Sequence, residues 1–230
     1  MVKKRSTKKK STKRIKKILP DRTSKKITSK ENDQLAWLFL IIILVFSAFL
    51  GFYFYNEGSN VFEFAGADWI IEEYANFTAY HGRFLALDGS NYHYNIWLRN
   101  DPRKNNVPTE GIFNTFKYNA IVSFDKTIGE CRGELTRAVL DLGQFLNGGV
   151  GTKNLETATT DLEVSQLNNV SHVDCSLNIY DTIIILEEGE ASVIKDSQNP
   201  FCYTIKVQDC GDILGIEKFM IKTIDDFGDN

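Results

Sequence analysis

The chain has 230 residues, 43% hydrophobic and 25% charged, with a formal net charge of −3; that length holds one ordinary domain with appendages. The near-neutral total hides an opposition. Residues 1–34 carry fourteen Lys/Arg against three Asp/Glu, and the remainder carries thirteen against twenty-seven, which excludes one uniform surface and points to two environments.

Over residues 1–30, Lys and Arg are interleaved with Ser and Thr; after Val2 the larger apolar residues are Ile15, Ile18, Leu19 and Ile27. Such a segment buries too little surface to offset its ordering entropy, so residues 1–34 are expected to form a disordered tail. Its charge suits the anionic lipids of an inner leaflet, at roughly 1 kcal/mol per basic residue near the surface. Nucleic acid ranks well behind lipid as a partner, because the tail has no aromatic residue on which bases stack.

Residues 35–55, LAWLFLIIILVFSAFLGFYFY, hold no charge. A helix of that length, rising about 1.5 Å per residue, spans about 30 Å, the hydrocarbon thickness of a bilayer. Trp37 near one end and Tyr53 and Tyr55 at the other suit the headgroup layers. The basic flank keeps the amino end cytoplasmic, and the first Lys/Arg after the span is Arg83. A cleaved signal peptide is the competing reading. However, the Ala65-Gly66-Ala67 string lies ten residues past an apolar run longer than a signal core, so an uncleaved single-pass anchor is expected.

Residues 56–67 read as a short stalk and 68–230 as an extracytoplasmic domain. Segments 83–87 and 92–99 flank Asp88-Gly89-Ser90-Asn91 and predict a β-hairpin. A loop follows to Glu110, then a strand at 120–124. Apolar Leu135, Ala138, Val139, Leu142, Phe145 and Leu146 predict a helix over about 129–146, ended by Asn147-Gly148-Gly149. The Thr-rich segment 156–164 suggests an edge strand. The run 183–186 is strongly β-branched, and Glu188-Gly189 turns it into 191–194 as a second hairpin. YTIKV at 203–207 is a strand, and a helix over about 211–226 follows, with Asp209 as N-cap and Asp212 in its first turn. The fold class expected is α/β, with mixed α+β as the alternative.

All four cysteines, Cys131, Cys175, Cys202 and Cys210, fall beyond the span, as disulfides in an oxidising compartment would. There is no C-x-x-C and no His at ligand spacing from a Cys, so no metal is expected. Cys202 and Cys210 flank the YTIKV strand, which holds their Cα atoms about 25 Å apart, whereas a disulfide needs less than about 7 Å. If the two strand–helix units share one parallel arrangement, Cys131 pairs with Cys210 at one sheet edge and Cys175 with Cys202 at the other. Asn76 and Asn169 begin Asn-x-Ser/Thr sequons on the same outer side and are glycosylation candidates.

In segment 92–103 strand alternation places His93, Asn95, Trp97 and Arg99 on one face. His93, Trp97, Arg99, Asp101 and Arg103 are therefore the binding candidates, suited to a sugar or an anionic group. The structural alternative is a half-exposed strand and a turn in which Asp101 caps the backbone and pairs with Arg103. His81 and His172 fall in predicted loops. No nucleophile elbow, zinc-protease or phosphate-loop motif occurs, and no cofactor is expected.

The strings YHYNIWLRNDPRKNNVP and TIIILEEGEASVIK…CYTIKVQDCGDILGIEKFMIKTI resemble those of uncharacterised single-pass envelope proteins of small-genome archaea. The resemblance implies a cell-surface setting and carries no activity, so it transfers no functional residue. The function expected is a membrane-anchored extracytoplasmic interaction or structural module with a protein or glycan partner outside. The alternatives are an envelope hydrolase or transferase acting on surface polymers, and a subunit of a secretion or filament assembly.

Overall fold

The computed structural model describes residues 29–58, 60–176 and 179–228; of the disordered tail expected over 1–34, residues 1–28 lie outside them, and 29–34 are corrected to the start of a helix. Contacts divide the chain into Met1–Phe52 and Tyr53–Asn230. The described part of the first unit is helical. Helix α1, Ser29–Gly58, begins before and ends after the expected span. Within it Gln34–Tyr53 is long and apolar enough to cross a membrane, with mean hydropathy 2.7 and none of it buried. A helix apolar on every face has no core-facing stripe, which is the pattern of a span.

The second unit is a mixed α+β domain with two sheets. The first is antiparallel, in the order β1 (Val61–Phe64), β2 (Ala67–Glu73), β3 (Thr78–Leu85), β4 (His93–Leu98). The stalk reading of 56–67 is corrected here. Residues 56–58 continue α1, and Val61–Phe64 pairs with β2 through a two-residue turn with positive φ at Ala65 and Gly66. That geometry matches the right-handed twist of the flanking strands, and it takes up the Ala65-Gly66-Ala67 string.

The second sheet contains β5 (Thr109–Glu110), β6 (Asn119–Phe124), β7 (Asn154–Thr159), β8 (Thr182–Glu188), β9 (Ser192–Lys195) and β10 (Cys202–Val207), in the order β5-β9-β10-β8-β6-β7. Strands β7, β6, β8 and β10 run parallel. The expected hairpin between β8 and β9 does not form, because β10 lies between them, parallel to β8 and antiparallel to β9. The apolar run Ile183–Leu186 of β8 is buried on both faces, in the main core and in the smaller cluster, as in an inner strand covered by a layer on either side.

The expected helix over 129–146 is three pieces: α2 (Lys126–Gly129), α3 (Glu134–Gln144) and a π-helical turn, Phe145–Val150. The glycines at 148 and 149 do not end it. A Cβ at Gly148 would stand 2.6 Å from the Tyr94 ring, so this glycine lets the turn close on β4; the left-handed Gly151 terminates the turn. The segment read as an edge strand over 156–164 is β7 followed by α4 (Leu162–Asn168), which Asp161 caps by accepting from the Glu163 and Val164 amides. Helix α5 spans Leu214–Gly228. Asp209 caps the turn before it, and Asp212 accepts from the Leu214 amide.

One core joins the layers. Trp69, Phe84, Ile96 and Leu98 of the antiparallel sheet share it with Leu135, Leu142 and Phe145, with Ile216, Phe219 and Ile224 of α5, and with Ile184, Leu186, Tyr203 and Ile205 of the mixed sheet. Buried positions surround most of α5, from Gly215 to Asp226, as a helix covered on both sides must have them. Ile121, Ala158, Val173, Ile183, Ile185 and Cys202 form a smaller cluster on the other face of the mixed sheet. The disulfides join Cys131 to Cys210 and Cys175 to Cys202.

Candidate functional site

The antiparallel sheet presents its outer face as cross-strand rows. Val61, Ile70, His81 and Trp97 stand opposite one another across β1 to β4, and Glu63, Asp68, Arg83 and Asn95 form the next row. Side chains directly opposite on one face lie within contact reach. His81 and Trp97 use that proximity: their rings are parallel to within 8°, with centroids 4.6 Å apart.

His81 is fixed at both ring nitrogens. Glu72 Oε1 lies 3.2 Å from Nδ1, and Asn95 Oδ1 lies 3.1 Å from Nε2. Glu72 also accepts from the Tyr74 hydroxyl at 2.7 Å; that hydrogen bond, then the carboxylate's charge, raises the phenol above its ordinary pKa. Tyr74 stacks on Phe77 at 4.8 Å, and the Arg99 guanidinium carbon sits 3.9 Å over the Phe77 ring. The outer face thus carries a continuous strip from Trp97 through His81, Glu72, Tyr74 and Phe77 to Arg99. Because β4 is an edge strand, no strand among the described residues lies beyond Trp97, which is 48% exposed.

At the Arg99 end the strip opens into a cavity of about 770 Å³, whose lining includes Phe77, Thr78, Tyr80, Arg99, Asp101 and Glu134. Beneath it Glu217 of α5, 3% exposed, accepts from the Arg99 amide and the Asn100 side chain. Burial pushes its carboxyl up to about 6.

The five binding candidates do not form one cluster. Trp97 and Arg99 belong to the strip. Asp101 caps the 3₁₀ turn Pro102–Lys104 and accepts from the Arg103 amide at 3.1 Å, from Nε at 2.9 Å and from Nη2 at 2.8 Å. This hydrogen-bonded pairing holds Asp101 below the usual carboxylate range and raises Arg103. The Arg103 guanidinium also lies 3.8 Å over Phe62. Both residues are therefore engaged within the protein. His93 lines a separate cavity of about 510 Å³ together with Asp68 and Arg83.

Sequence reading missed Glu72, Tyr74, Phe77 and His81. His81 is no loop residue but the centre of β3, and His172 bridges Thr159 with its Nε2 3.0 Å from the Thr160 carbonyl. The alternation of Asp68, Ile70 and Glu72 with Ala67, Trp69 and Ile71 was the signal for β2, and it places Glu72 beside β3. Asn76 is exposed in the β2–β3 turn, and Asn169 is exposed as the left-handed cap of α4. Among the described residues no group of three or more His, Cys, Asp or Glu stands together as a metal site.

Fold and strip together define a disulfide-bonded α+β domain that follows an apolar helix. No family model, curated protein or solved structure matches the chain.

Proposed function

We propose that this chain is a membrane-anchored binding module. Its apolar helix crosses the bilayer, its basic tail lies against anionic lipid on the cytoplasmic side, and its disulfide-bonded domain stands outside to hold a protein or glycan partner. The helix, the charge contrast across it and the two disulfides support this orientation.

The observation that carries the binding role is the Trp97–His81 stack. An aromatic ring half-open to solvent, held parallel to a neighbour that is itself fixed at both nitrogens, loses little freedom when a partner covers it. Rigid exposed aromatics of this kind are where binding energy concentrates.

The envelope-enzyme alternative has one observation in its favour: Asp101 and Glu134 share a concave cavity with Arg99 and Lys104. Against it, Asp101 is kept ionised by Arg103, which leaves it poorly matched to proton transfer near neutral pH.

Purification of the full chain from its native membrane in mild detergent tests the proposal. A partner should co-purify, and Trp97→Ala should release it while leaving the melting temperature within about 2 °C, as for a surface substitution. A partner retained equally by the variant would overturn the role given to this strip.

A further inference from the structure

Building on the binding-module reading, we propose that the strip and the cavity at its end recognise a sugar chain bearing carboxylates, of the uronic-acid type, with Trp97 stacking on a ring and Arg99 taking a carboxylate.

Arg99 carries the argument. Its neighbours among the arginines have internal partners: Arg103 is bound to Asp101 at 2.8 Å, and Arg137 lies 3.6 Å from Glu134 and 3.4 Å from Asp141. Arg99 makes no ion pair within 4 Å among the described residues, and its Nε is buried with no hydrogen-bond partner. Arg99 lines the cavity without an ion pair, so a positive charge stands in its wall with no bonded carboxylate among the described residues. The side chain is nonetheless held in place. Its guanidinium lies 3.9 Å over Phe77, which Tyr74 backs at 4.8 Å, and its backbone amide is tied to Glu217. A planar fork fixed in this way is preorganised for two-point contact with a carboxylate.

Within the cavity the cations are Arg99 and Lys104. The two carboxylates of the cavity are both occupied, Asp101 by Arg103 and Glu134 by Arg137. Lys104 adds a second cation on the rim, 3.7 Å from Asp101.

The rest of the lining distinguishes a sugar from a bare anion. Thr78 and Tyr80 offer hydroxyl groups beside Arg99, and Tyr80 offers aromatic carbon. On the sheet, Trp97 lies two residues before Arg99 along the same face, about 7 Å away, a spacing on the order of one to two sugar units. An aromatic platform beside scattered hydrogen-bonding groups suits the alternating apolar and hydroxylated faces of a pyranose, whereas an acidic peptide would call for more cations than Arg99 and Lys104.

The test uses the full chain in nanodiscs and isothermal titration with three probes: an oligogalacturonate, the matching neutral galactose oligomer, and hexaglutamate. The oligogalacturonate should bind at least tenfold more tightly than either other probe. Arg99→Ala and Arg99→Lys should both remove that preference, since an ammonium cannot reproduce the fork. Trp97→Ala should weaken both sugar oligomers tenfold or more, and Tyr118→Ala, far along the chain on an exposed position, should change neither. Equal binding of hexaglutamate would overturn the sugar assignment. Preference for the uronate that survives both Arg99 variants would overturn the role of Arg99. Absence of binding by either oligomer, in a protein whose Trp97→Ala variant still loses a co-purifying partner, would overturn this inference and leave the binding-module reading standing.

Discussion

Glu217 shows how a single buried group ties the site to the core. Its carboxylate receives the Arg99 amide and the Asn100 side chain, so the end of β4 is anchored on α5. Burial raises its pKa from 4.5 to about 6, so between those values the folded state holds more protons than the unfolded one. Through this group stability is greatest below about 4.5 and falls as pH rises through about 6; the gap corresponds to about 2 kcal/mol. Glu217→Gln removes the titration and keeps an oxygen for the Arg99 amide. Denaturant unfolding at pH 4 and pH 7 should therefore show the native chain losing about 2 kcal/mol more than the glutamine variant between the two. Equal pH dependence in both proteins would refute the assignment. Glu217→Ala should cost about 2–4 kcal/mol at either pH, because it leaves two donors unpaired. None of this was legible in the sequence, where Glu217 is one acidic residue on a helix. Trp97 and Arg99 were legible, because strand alternation alone puts them on one face. Asp101 and Arg103 were also read as a local turn pair, because the residues that bind each other are two apart. His81 was not, because it was placed in a loop, and because its partner Glu72 comes from β2, which had not been recognised.

Among the secondary-structure elements, local pattern identified strands well and their neighbours poorly. The β-branched run of β8 and the YTIKV strand β10 stand out in composition, and a turn follows β8 at Gly189. A turn signal says only that the chain reverses. Which strand then pairs is decided by burial, and β10, whose Tyr203, Ile205 and Val207 form a fully buried face, takes the central place that a hairpin would have given to β9. Strand length had the stronger consequence. It separates Cys202 from Cys210, and each is bonded to a cysteine distant in sequence. Cys131–Cys210 joins the segment before α3 to the segment before α5, and their neighbours Glu134 and Gly211 both line the cavity. The disulfide closes a loop with a sequence separation of 79, for which the chain-entropy account gives about 4–5 kcal/mol. The double variant Cys131→Ala, Cys210→Ala should therefore unfold at a markedly lower denaturant concentration with an unchanged or larger m-value. A midpoint within experimental scatter of the native one would show that the crosslink contributes nothing to the domain's stability.

For the whole molecule, the decisive property is the contrast between its ends. Fourteen Lys/Arg precede the apolar helix, and thirteen against twenty-seven Asp/Glu follow it. Moving the first group across a bilayer is opposed by the membrane potential and by the attraction of anionic lipid on the inner side, whereas the second group meets no such attraction. The redox argument is independent of charge: Cys131–Cys210 and Cys175–Cys202 persist where thiols are not kept reduced. Both lines favour the proposed orientation, and one experiment addresses both. In sealed right-side-out membranes, trypsin added outside should leave the Lys-rich tail intact and should reach only the disulfide-bonded domain. A tag before residue 1 should become cleavable after detergent opens the membranes. An impermeant thiol reagent, applied after reduction from the outside, should label Cys210, which is exposed at the surface of the domain. Tail cleavage from outside in intact membranes, with the domain protected, would reverse the orientation. It would then set the disulfides in a reducing compartment, where long-lived pairs of this kind are rare, and it would remove the extracellular sugar from reach of Trp97 and Arg99.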